Sequence, residues 1–196
     1  MGRPSVFIRL TGCNLRCTYC DSQYAFDEGT EMSVSEILYA IDPYACRLVL
    51  VTGGEPMLQD SVHELFRELL QREYTVLVET GGQVLLADVD PRVHKIMDFK
   101  CPSSGMESRN DYGNVQYLTR RDEVKFVIGD WDDFNWACGI IRQYDLTAHA
   151  GEILFSPVSQ KISSADLAGW MLNCGIPARL QLQLHKIIWP DIQRGV

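Results

Sequence analysis

Residues 5–20, SVFIRLTGCNLRCTYC, join a short apolar run to three closely spaced cysteines. Residues 5–10 (SVFIRL) are rich in β-branched and aromatic side chains and predict a β-strand. Cys13, Cys17 and Cys20 follow this strand with the spacing C-x3-C-x2-C, so that a single loop carries three thiols. The strand end is therefore the first place to look for a metal site.

Three thiolates on one loop can hold three corners of an iron–sulfur cubane, whereas full ligation of a 4Fe–4S cluster takes four cysteines. The missing fourth ligand leaves one iron open, and an open coordination position is typical of a catalytic metal. A structural zinc site and incidental core cysteines are the alternatives. Zinc sites usually bring a second ligand pair at fixed spacing, and no such pair follows in the sequence.

The composition is that of an ordinary globular protein. The chain has 196 residues, of which 46% are hydrophobic and 22% charged, enough for one domain over residues 1–196. A net charge of −8 argues against a broad nucleic-acid-binding surface. The sequence has neither a run of about 18 apolar residues nor a signal peptide, so we expect a cytoplasmic protein with no membrane segment.

The seven cysteines do not suggest a disulfide framework, which is typical of short secreted chains. A reducing compartment and a metal site fit the cysteine content better. Outside the triplet, Cys46, Cys101, Cys138 and Cys174 are scattered, and we expect each of them to be a small buried apolar residue.

Strand-like runs alternate with helical patterns along the chain. The predicted strands are 5–10, 47–52, 75–79, 95–100, 122–128, 153–155 and 180–185. The predicted helices are 33–41 with a capping box at Ser33, a helix with Asp60 as its cap, 132–144 and Ser164–Cys174. This alternation indicates a mainly parallel α/β sheet. Because a closed eight-fold barrel needs about 250 residues, we predict an open, partial (β/α) barrel, with a doubly wound sheet as the alternative.

Polar residues follow several strands, at the carboxyl ends where α/β proteins place their chemistry. Gly53-Gly54-Glu55 ends the second strand, where glycines allow close backbone approach and a carboxylate can bind an ammonium group. Glu79 ends the third strand, and Asp98-Phe99-Lys100 ends the fourth. The alternative for Gly53-Gly54-Glu55 is a simple strand-to-helix turn with an exposed glutamate, and the alternative for the other two strand ends is a capped turn.

The triplet, with Tyr19 in the aromatic position before its last cysteine, resembles the radical S-adenosylmethionine (SAM) superfamily. The resemblance implies that SAM chelates the open iron and is split to a 5′-deoxyadenosyl radical, which takes a hydrogen atom from the substrate. Gly54 and Glu55 match the superfamily's GGE motif, which contacts the SAM amino group. The remaining positions that we predict to bind SAM are Tyr19, Glu79, Asp98, Phe99 and Lys100, of which Glu79 or Lys100 could hydrogen-bond the ribose or the carboxylate because they lie at strand ends.

Further motifs resemble the family of 7-carboxy-7-deazaguanine synthases, namely VTGGEP (51–56), DFKCPSS (98–104) and QLHKIIW (183–189). The family consists of carbon–nitrogen lyases that rearrange 6-carboxy-5,6,7,8-tetrahydropterin to 7-carboxy-7-deazaguanine with loss of ammonia, toward queuosine. The resemblance implies a 4Fe–4S cluster, SAM, Mg²⁺, an electron donor such as flavodoxin, and a homodimer.

Several residues match a pterin substrate. Arg9 can pair with the substrate carboxylate, unless it is a surface charge on an edge strand. Ser22 matches the family's Mg²⁺ ligand, with Asp21 orienting the metal shell or capping the loop. Thr52 matches a substrate contact. Gln183 and His185, two apart on the predicted last strand, would share one face and meet the pterin, although a lone histidine is often structural.

Family members usually carry an upstream Ser-x-Gln-Gly-Glu segment that helps to bind the substrate. The sequence starts at Met1-Gly2-Arg3, just after the expected position of that segment. A misassigned start, a truncation and a true absence are all open at this point. A true absence would lower substrate affinity and leave the cluster assignment unchanged.

Two other functions fit part of the pattern. A glycyl-radical-enzyme activase shares the triplet and the GGE turn, but acts on a protein and not on a pterin. A non-catalytic iron–sulfur or zinc protein would hold metal without binding SAM, and would leave Glu55, Lys100 and His185 without a role. Turnover of the small molecule without a partner distinguishes the synthase from the activase.

Overall fold

The structure is a computed structural model that describes residues 2–159, 161–192 and 194. Seven strands form one sheet: β1 Val6–Leu10, β2 Leu48–Gly53, β3 Thr75–Thr80, β4 His94–Phe99, β5 Glu123–Ile128, β6 Glu152–Pro157 and β7 Arg179–Leu180. The helices are α1 Val34–Ile41, α2 Val62–Gln71, α3 Trp131–Gln143, α4 Leu146–His149, α5 Ser164–Cys174 and α6 Leu184–Ile188.

The strands lie in the order β1-β2-β3-β4-β5-β6-β7, and every neighbouring pair is parallel. Sequential parallel order with helical crossovers is the arrangement of a (β/α) barrel. Within the described residues β1 and β7 do not pair, so the barrel stays open. The predicted open, partial (β/α) barrel is confirmed, and the doubly wound alternative is wrong.

The two faces of the sheet differ in character because successive side chains alternate in direction. On the outer face Val49, Val51, Val76 and Val78 are at most 1% exposed and pack with the apolar sides of α1 and α2. The opposite face, called the inner face here, carries polar and charged side chains that include Arg9, Thr52, Glu79, Asp98 and Lys125, as the strand register requires.

The sequence analysis predicted the N-cap residue of one helix correctly and that of another incorrectly. Ser33 caps α1 through a complete capping box with Glu36, as predicted. The prediction that Asp60 caps α2 is wrong, because the N-cap is Ser61 and its side chain makes no capping hydrogen bond. The helix is stabilised instead by burial of Val62, Leu65, Phe66 and Leu69.

The last predicted strand is also wrong in part. Pairing with β6 covers only Arg179–Leu180, and residues 184–188 form α6, with Gln183 at its N-cap. The sequence analysis also missed α4 and three short 3₁₀ helices between β4 and β5, at Pro102–Ser104, Glu107–Arg109 and Tyr112–Tyr117. In the part of the chain that the structure describes, no helix has the length and apolar character needed to cross a bilayer.

Candidate active site

The three cysteines lie in the loop between β1 and a short 3₁₀ helix, Gln23–Phe26. All three are half-buried free thiols, and all three line one cavity at the carboxyl end of the sheet. Burial raises the pKa of Cys17, while the nearby Lys100 ammonium opposes that rise. No described group of three or more potential ligands is close enough to hold a single ion.

The cysteine loop is held from the side by the segment that follows β4. The Thr18 N–H donates to the Ser104 carbonyl at 3.0 Å, and the Thr18 hydroxyl donates to the Ser103 carbonyl at 2.7 Å. Ser103 is itself fixed by Asp133 of α3, which accepts from the Ser103 N–H at 2.9 Å and from its hydroxyl. The CPSS part of the motif at 98–104 therefore positions the loop.

The GGE turn packs directly on the same loop. The Gly54 N–H donates to the Leu10 carbonyl at 3.0 Å, and the Glu55 N–H donates to the Gly12 carbonyl at 2.7 Å. A Cβ at Gly54 would lie 2.2 Å from the Gly12 carbonyl oxygen and 2.7 Å from the Cys13 Cβ. The close approach that requires glycine at position 54 is thus to the cysteine loop. Gly53 and Gly54 also line the cavity, so the approach of this turn to a ligand stays a prediction.

Glu55 is only 1% exposed, so the alternative of an exposed turn residue is wrong. Its Oε1 accepts from the Thr80 hydroxyl at 2.7 Å and from the Met57 N–H at 3.1 Å, and its Oε2 accepts from the Gly81 N–H at 2.8 Å. Burial raises the pKa of Glu55, and these hydrogen bonds oppose the rise. Because Oε2 has a single donor and the residue lines the cavity, it can accept from an ammonium group there.

A network of four charges occupies the inner face beside the cavity. Lys125 donates to Glu79 Oε1 and lies 3.8 Å from Asp98 Oδ2, while Lys100 Nζ lies 3.1 Å from the same Asp98 oxygen. Burial alone would lower the pKa of Lys100, but Asp98 and Cys17 raise it overall, and Glu79 and Asp98 do the same for Lys125. The Asp98 Oδ1 atom is buried without a partner among the described residues.

Two of the residues predicted to bind the cofactor point elsewhere. Phe99 is 1% exposed and stacks on Tyr112 and Phe126 in the core, because strand alternation sends it to the face opposite Asp98. Its side chain does not reach the cavity, so the prediction that it contacts SAM is wrong for the side chain. The Tyr19 hydroxyl donates to the Val127 carbonyl at 3.1 Å, which ties the cysteine loop to β5.

The predicted substrate residues lie around the same end of the sheet. Arg9 is exposed on the inner face of β1, and Thr52 is paired with it on β2 and is 8% exposed. Ser22 lines the cavity and donates to Asp21 at 3.1 Å.

Gln183 and His185 do not share a strand face, which corrects that prediction, because both belong to the start of α6. The Gln183 side-chain amide donates to Asp21 Oδ2 at 2.7 Å, and Lys186 Nζ lies 3.0 Å from the same oxygen. The C-terminal helix is thereby clamped to the loop that carries the cysteines. Asp21 therefore acts as the link between the two segments, a role beyond capping its own loop.

The sequence analysis did not identify the residues that support the site by holding other site residues in position. Lys125 is the clearest case, because a lysine inside the apolar strand DEVKFVI is itself a signal of a paired charge. Gln83 also lines the cavity, where its amide donates to Asn14 at 2.8 Å and its Oε1 is buried without a described partner. Nothing in the local sequence marks Ser103 and Asp133 as a pair.

The comparisons with known proteins agree with this geometry. The model of the radical SAM superfamily matches residues 7–143. A 7-carboxy-7-deazaguanine synthase of Koribacter versatilis is 41% identical, over 100% of this chain and 92% of the relative. A synthase of the same name from Chlorobaculum tepidum is also 41% identical, over 100% of this chain and 90% of the relative. The chain belongs to the 7-carboxy-7-deazaguanine synthase family of the radical SAM superfamily.

Solved structures similar to this chain support its overall fold. The crystal structure of Streptococcus suis SuiB bound to S-adenosylmethionine matches with a TM-score of 0.62 at 11% identity, over 97% of this chain and 53% of that one. A further crystal structure of Streptococcus suis SuiB matches with a TM-score of 0.65 at 11% identity, over 97% of this chain and 53% of that one. At this identity the likeness concerns the fold alone.

A 4Fe–4S cluster and SAM are the cofactors of a radical SAM enzyme, and the residues present fit both groups. Three thiols face one cavity, and no fourth cysteine is among the residues that line it. A buried carboxylate with spare acceptor capacity and a lysine line the same space. This donor set suits a cluster with one open iron and a ligand that carries an ammonium and a carboxylate group.

Proposed function

We propose that the protein is a 7-carboxy-7-deazaguanine synthase, a carbon–nitrogen lyase. It would rearrange 6-carboxy-5,6,7,8-tetrahydropterin to 7-carboxy-7-deazaguanine with release of ammonia, toward queuosine and related 7-deazapurines. The observation that carries the proposal is the single cavity shared by Cys13, Cys17, Cys20, Glu55 and Lys100. It occurs in a chain that is 41% identical over its full length to synthases of that name.

The cofactor residues take the following roles in this proposal. Cys13, Cys17 and Cys20 hold three irons, and the fourth iron is left for SAM. Glu55 Oε2 accepts a hydrogen bond from the SAM ammonium group, and Lys100 pairs with an anionic group of the ligand. When bound, the cluster and SAM together supply the radical that removes a hydrogen atom from the substrate.

In this proposal the substrate residues bind the pterin beside the cofactors. Arg9 has an exposed guanidinium on the inner face and pairs with the substrate carboxylate in this proposal. Thr52 offers a hydroxyl on the neighbouring strand. Ser22 provides one ligand for Mg²⁺, which commonly takes few protein ligands and completes its shell with substrate and water. Gln183 and His185 approach from the C-terminal helix.

The remaining expectations belong to the same proposal. The chain acts as a single domain and as a homodimer in the cytoplasm, and it receives its electron from a donor such as flavodoxin. A net charge of −8 speaks against a nucleic-acid partner. The chemistry at the cavity needs an electron, which a chemical reductant can also supply, and it does not depend on the other statements.

The test is anaerobic reconstitution with iron and sulfide, followed by incubation with SAM, Mg²⁺, a reductant and 6-carboxytetrahydropterin. Mass spectrometry then follows 7-carboxy-7-deazaguanine and 5′-deoxyadenosine. Formation of 7-carboxy-7-deazaguanine in the absence of any protein partner supports the synthase and excludes the glycyl-radical activase. Formation of 5′-deoxyadenosine alone would retain the radical chemistry and reject the pterin substrate. A cluster that forms without binding SAM would reject the enzyme altogether, in favour of a non-catalytic metalloprotein.

A further inference from the structure

Gln83 is a polar residue of the cavity that carries no part of the proposed reaction. It lies in the turn after β3 and lines the cavity together with Cys13, Glu55 and Lys100. Its Oε1 atom is buried and has no hydrogen-bond partner among the described residues. Buried polar atoms in folded proteins nearly always have a partner, because an unpaired acceptor costs free energy. The oxygen is therefore available to a ligand in the cavity.

The side-chain amide of Gln83 is held in place by the cysteine loop. Its Nε2 atom donates to Asn14 Oδ1 at 2.8 Å, and Asn14 directly follows Cys13. An amide group has a donor nitrogen and an acceptor oxygen, so the nitrogen is used by this contact and the oxygen is not. Gln83 thus connects the cysteine loop to the turn after β3 and still has an acceptor to offer.

The free oxygen of Gln83 lies near the carboxylate of Glu55. A Cβ on Gly81 would clash with Gln83 Oε1 and would lie 3.4 Å from Glu55 Oε2, so both oxygens border the same position. Glu55 Oε2 accepts from the Gly81 N–H at 2.8 Å. A carboxylate oxygen has a second lone pair, so both Glu55 Oε2 and Gln83 Oε1 can accept a further hydrogen bond.

Two acceptors at one position suit a ligand group with more than one N–H donor. The amino group of SAM has three such donors as an ammonium and two as an amine, so one carboxylate oxygen leaves at least one of them without an acceptor. Glu55 supplies a negative charge, and the neutral amide of Gln83 adds a second acceptor without a second buried charge.

We propose that Gln83 binds the amino group of SAM together with Glu55, so that two side chains and not one select this group. The proposal rests on the role of Glu55 in SAM binding given above, and it is independent of the pterin substrate. Through its contact with Asn14, the Gln83 amide also holds the bound amino group in a fixed position relative to the cysteine loop. Gln83 is thus a cofactor-binding residue that neither donates nor removes a proton.

The test measures binding and not turnover. Cluster-loaded protein is equilibrated anaerobically, without reductant or pterin, with SAM or with an analogue that carries hydrogen in place of the amino group. Equilibrium dialysis gives the two dissociation constants, and the parent protein should prefer SAM. In Gln83→Met the dissociation constant for SAM should rise by about 10-fold, the size expected for one lost hydrogen bond, whereas that for the analogue should change little.

Two further variants separate the acceptor from the shape of the side chain. Gln83→Glu should keep the preference for SAM, because a carboxyl group has an acceptor oxygen whether or not it is protonated. Gln59→Met is the matched control, since Gln59 is exposed, donates to the Thr11 carbonyl at 2.6 Å and lies outside the cavity. Its dissociation constant for SAM should equal that of the parent protein.

Iron and sulfide content that matches the parent protein shows that each variant is folded, and Gln83→Ala replaces Gln83→Met if methionine disturbs the cluster. An unchanged dissociation constant for SAM in the variant without the amide would overturn the proposal. An equal loss for SAM and for the analogue would also overturn it, because Gln83 would then only shape the cavity. A parent protein without any preference for SAM would reject the amino-group site of Glu55 and Gln83 together. No pterin is present, so these results do not depend on the identity of the substrate.

Discussion

Lys125 places a positive charge between Glu79 and Asp98, which would otherwise be two like charges on the same inner face. Its side chain is 14% exposed, so water screens this interaction only in part. Removal of one partner from a buried ion pair leaves the other charge uncompensated. We therefore regard Lys125 as a residue that positions the two carboxylates beside the cavity.

Replacement of Lys125 by methionine should let Glu79 and Asp98 move apart or take up protons. We expect a loss of about 3 kcal/mol in the free energy of unfolding, and a rate of 5′-deoxyadenosine formation lower by about 10- to 100-fold. Lys125→Arg, which keeps the charge, should recover part of both. Wild-type SAM affinity and turnover in Lys125→Met would show that the network has no role in the site.

The sequence predicted Lys100 and Asp98 correctly as neighbours at a strand end, because both lie in one short motif. It did not predict that Phe99 points the other way, although strict strand alternation contains that information. It could not predict that Lys125 meets Glu79, since these residues are 46 positions apart and only the sheet order brings their strands near. Local motifs identify the charged residues of the site, but which of them contact each other depends on the tertiary structure.

The GGE turn and the cysteine loop form one packed unit, because the two backbones touch at Gly54 and Gly12. A methyl group at Gly54 would press on a carbonyl oxygen, which cannot move without shifting the loop. The same turn positions Glu55. We therefore expect a change that displaces the turn to displace the cysteine loop as well.

Gly54→Ala should therefore lower iron retention even when no SAM is present. Chelation kinetics of the reconstituted protein measure this directly, and we expect faster release than in the parent protein. Gly139→Ala is the matched control, since a Cβ there meets nothing within 4 Å and alanine favours a helix. Unchanged iron release in Gly54→Ala would mean that the contact does not hold the loop.

The link between α6 and the cysteine loop depends on ionised Asp21. Burial opposes ionisation, but hydrogen bonds from Gln183 and Lys186 lower the pKa of Asp21 to about 2 from its usual 3.8. A lowered carboxyl pKa stabilises the fold fully above the usual value, and this stabilisation is lost as the pH falls from there toward the lowered one. Because the Asp21 side chain is 47% exposed, we expect at most about 1 kcal/mol.

Thermal unfolding of the cluster-free protein and of Asp21→Asn should show this pH dependence. The parent protein should unfold at a higher temperature by a constant margin between about pH 7 and 5, and the margin should shrink below about pH 4. The difference between the two unfolding temperatures cancels the contribution of the other carboxyl groups, because both proteins contain them. A margin that does not change down to pH 3 would contradict a role for the charge of Asp21.

The helix α6 is a segment whose secondary structure could not be predicted from the local sequence pattern. The run QLQLHKII alternates apolar and polar side chains at its start, which fits a strand, and its second half fits a helix equally well. Pairing with β6 ends at Leu180, and the chain then turns to reach Asp21. The contact that decides between the two structures is 162 positions away in sequence.

At the opposite end of the sheet from the cavity, the molecule contains a buried ion pair. Lys95 Nζ lies 3.0 Å from Asp122 Oδ2, and the side chains are 3% and 1% exposed. Asp122 also accepts from the Lys95 N–H at 2.7 Å and from the N–H and hydroxyl of Thr119. The aspartate therefore joins the starts of β4 and β5 and has partners besides the lysine.

Asp122→Ala should destabilise the whole fold by about 3 to 5 kcal/mol, because it leaves a buried ammonium and several backbone donors unpaired. Lys95→Met should cost less, since Asp122 keeps its other hydrogen bonds. Urea unfolding of the cluster-free variants measures both changes. An equal or larger loss for Lys95→Met would show that the lysine charge, and not the aspartate, holds the two strands.

The overall architecture was predictable because sequential strands and helices with apolar outer faces leave few parallel arrangements. The open barrel was predictable from the chain length. The length of β7 was not, because it depends on how many residues of the last strand find a partner. A two-residue β7 provides little pairing, and its brevity becomes visible only when the partner strand is known.

The dispersal of the contacts around the cysteine loop has a consequence for the protein during its synthesis. The cysteines leave the ribosome early, but Cys20 and its neighbours are fastened by Ser103, Val127 and finally Lys186, whose contact with Asp21 spans 165 positions. At about 5 to 20 residues per second, roughly 8 to 33 s pass before that last contact can form. Throughout that interval the three thiols are present in an incomplete site, so we expect stable insertion of the cluster to follow completion of the chain.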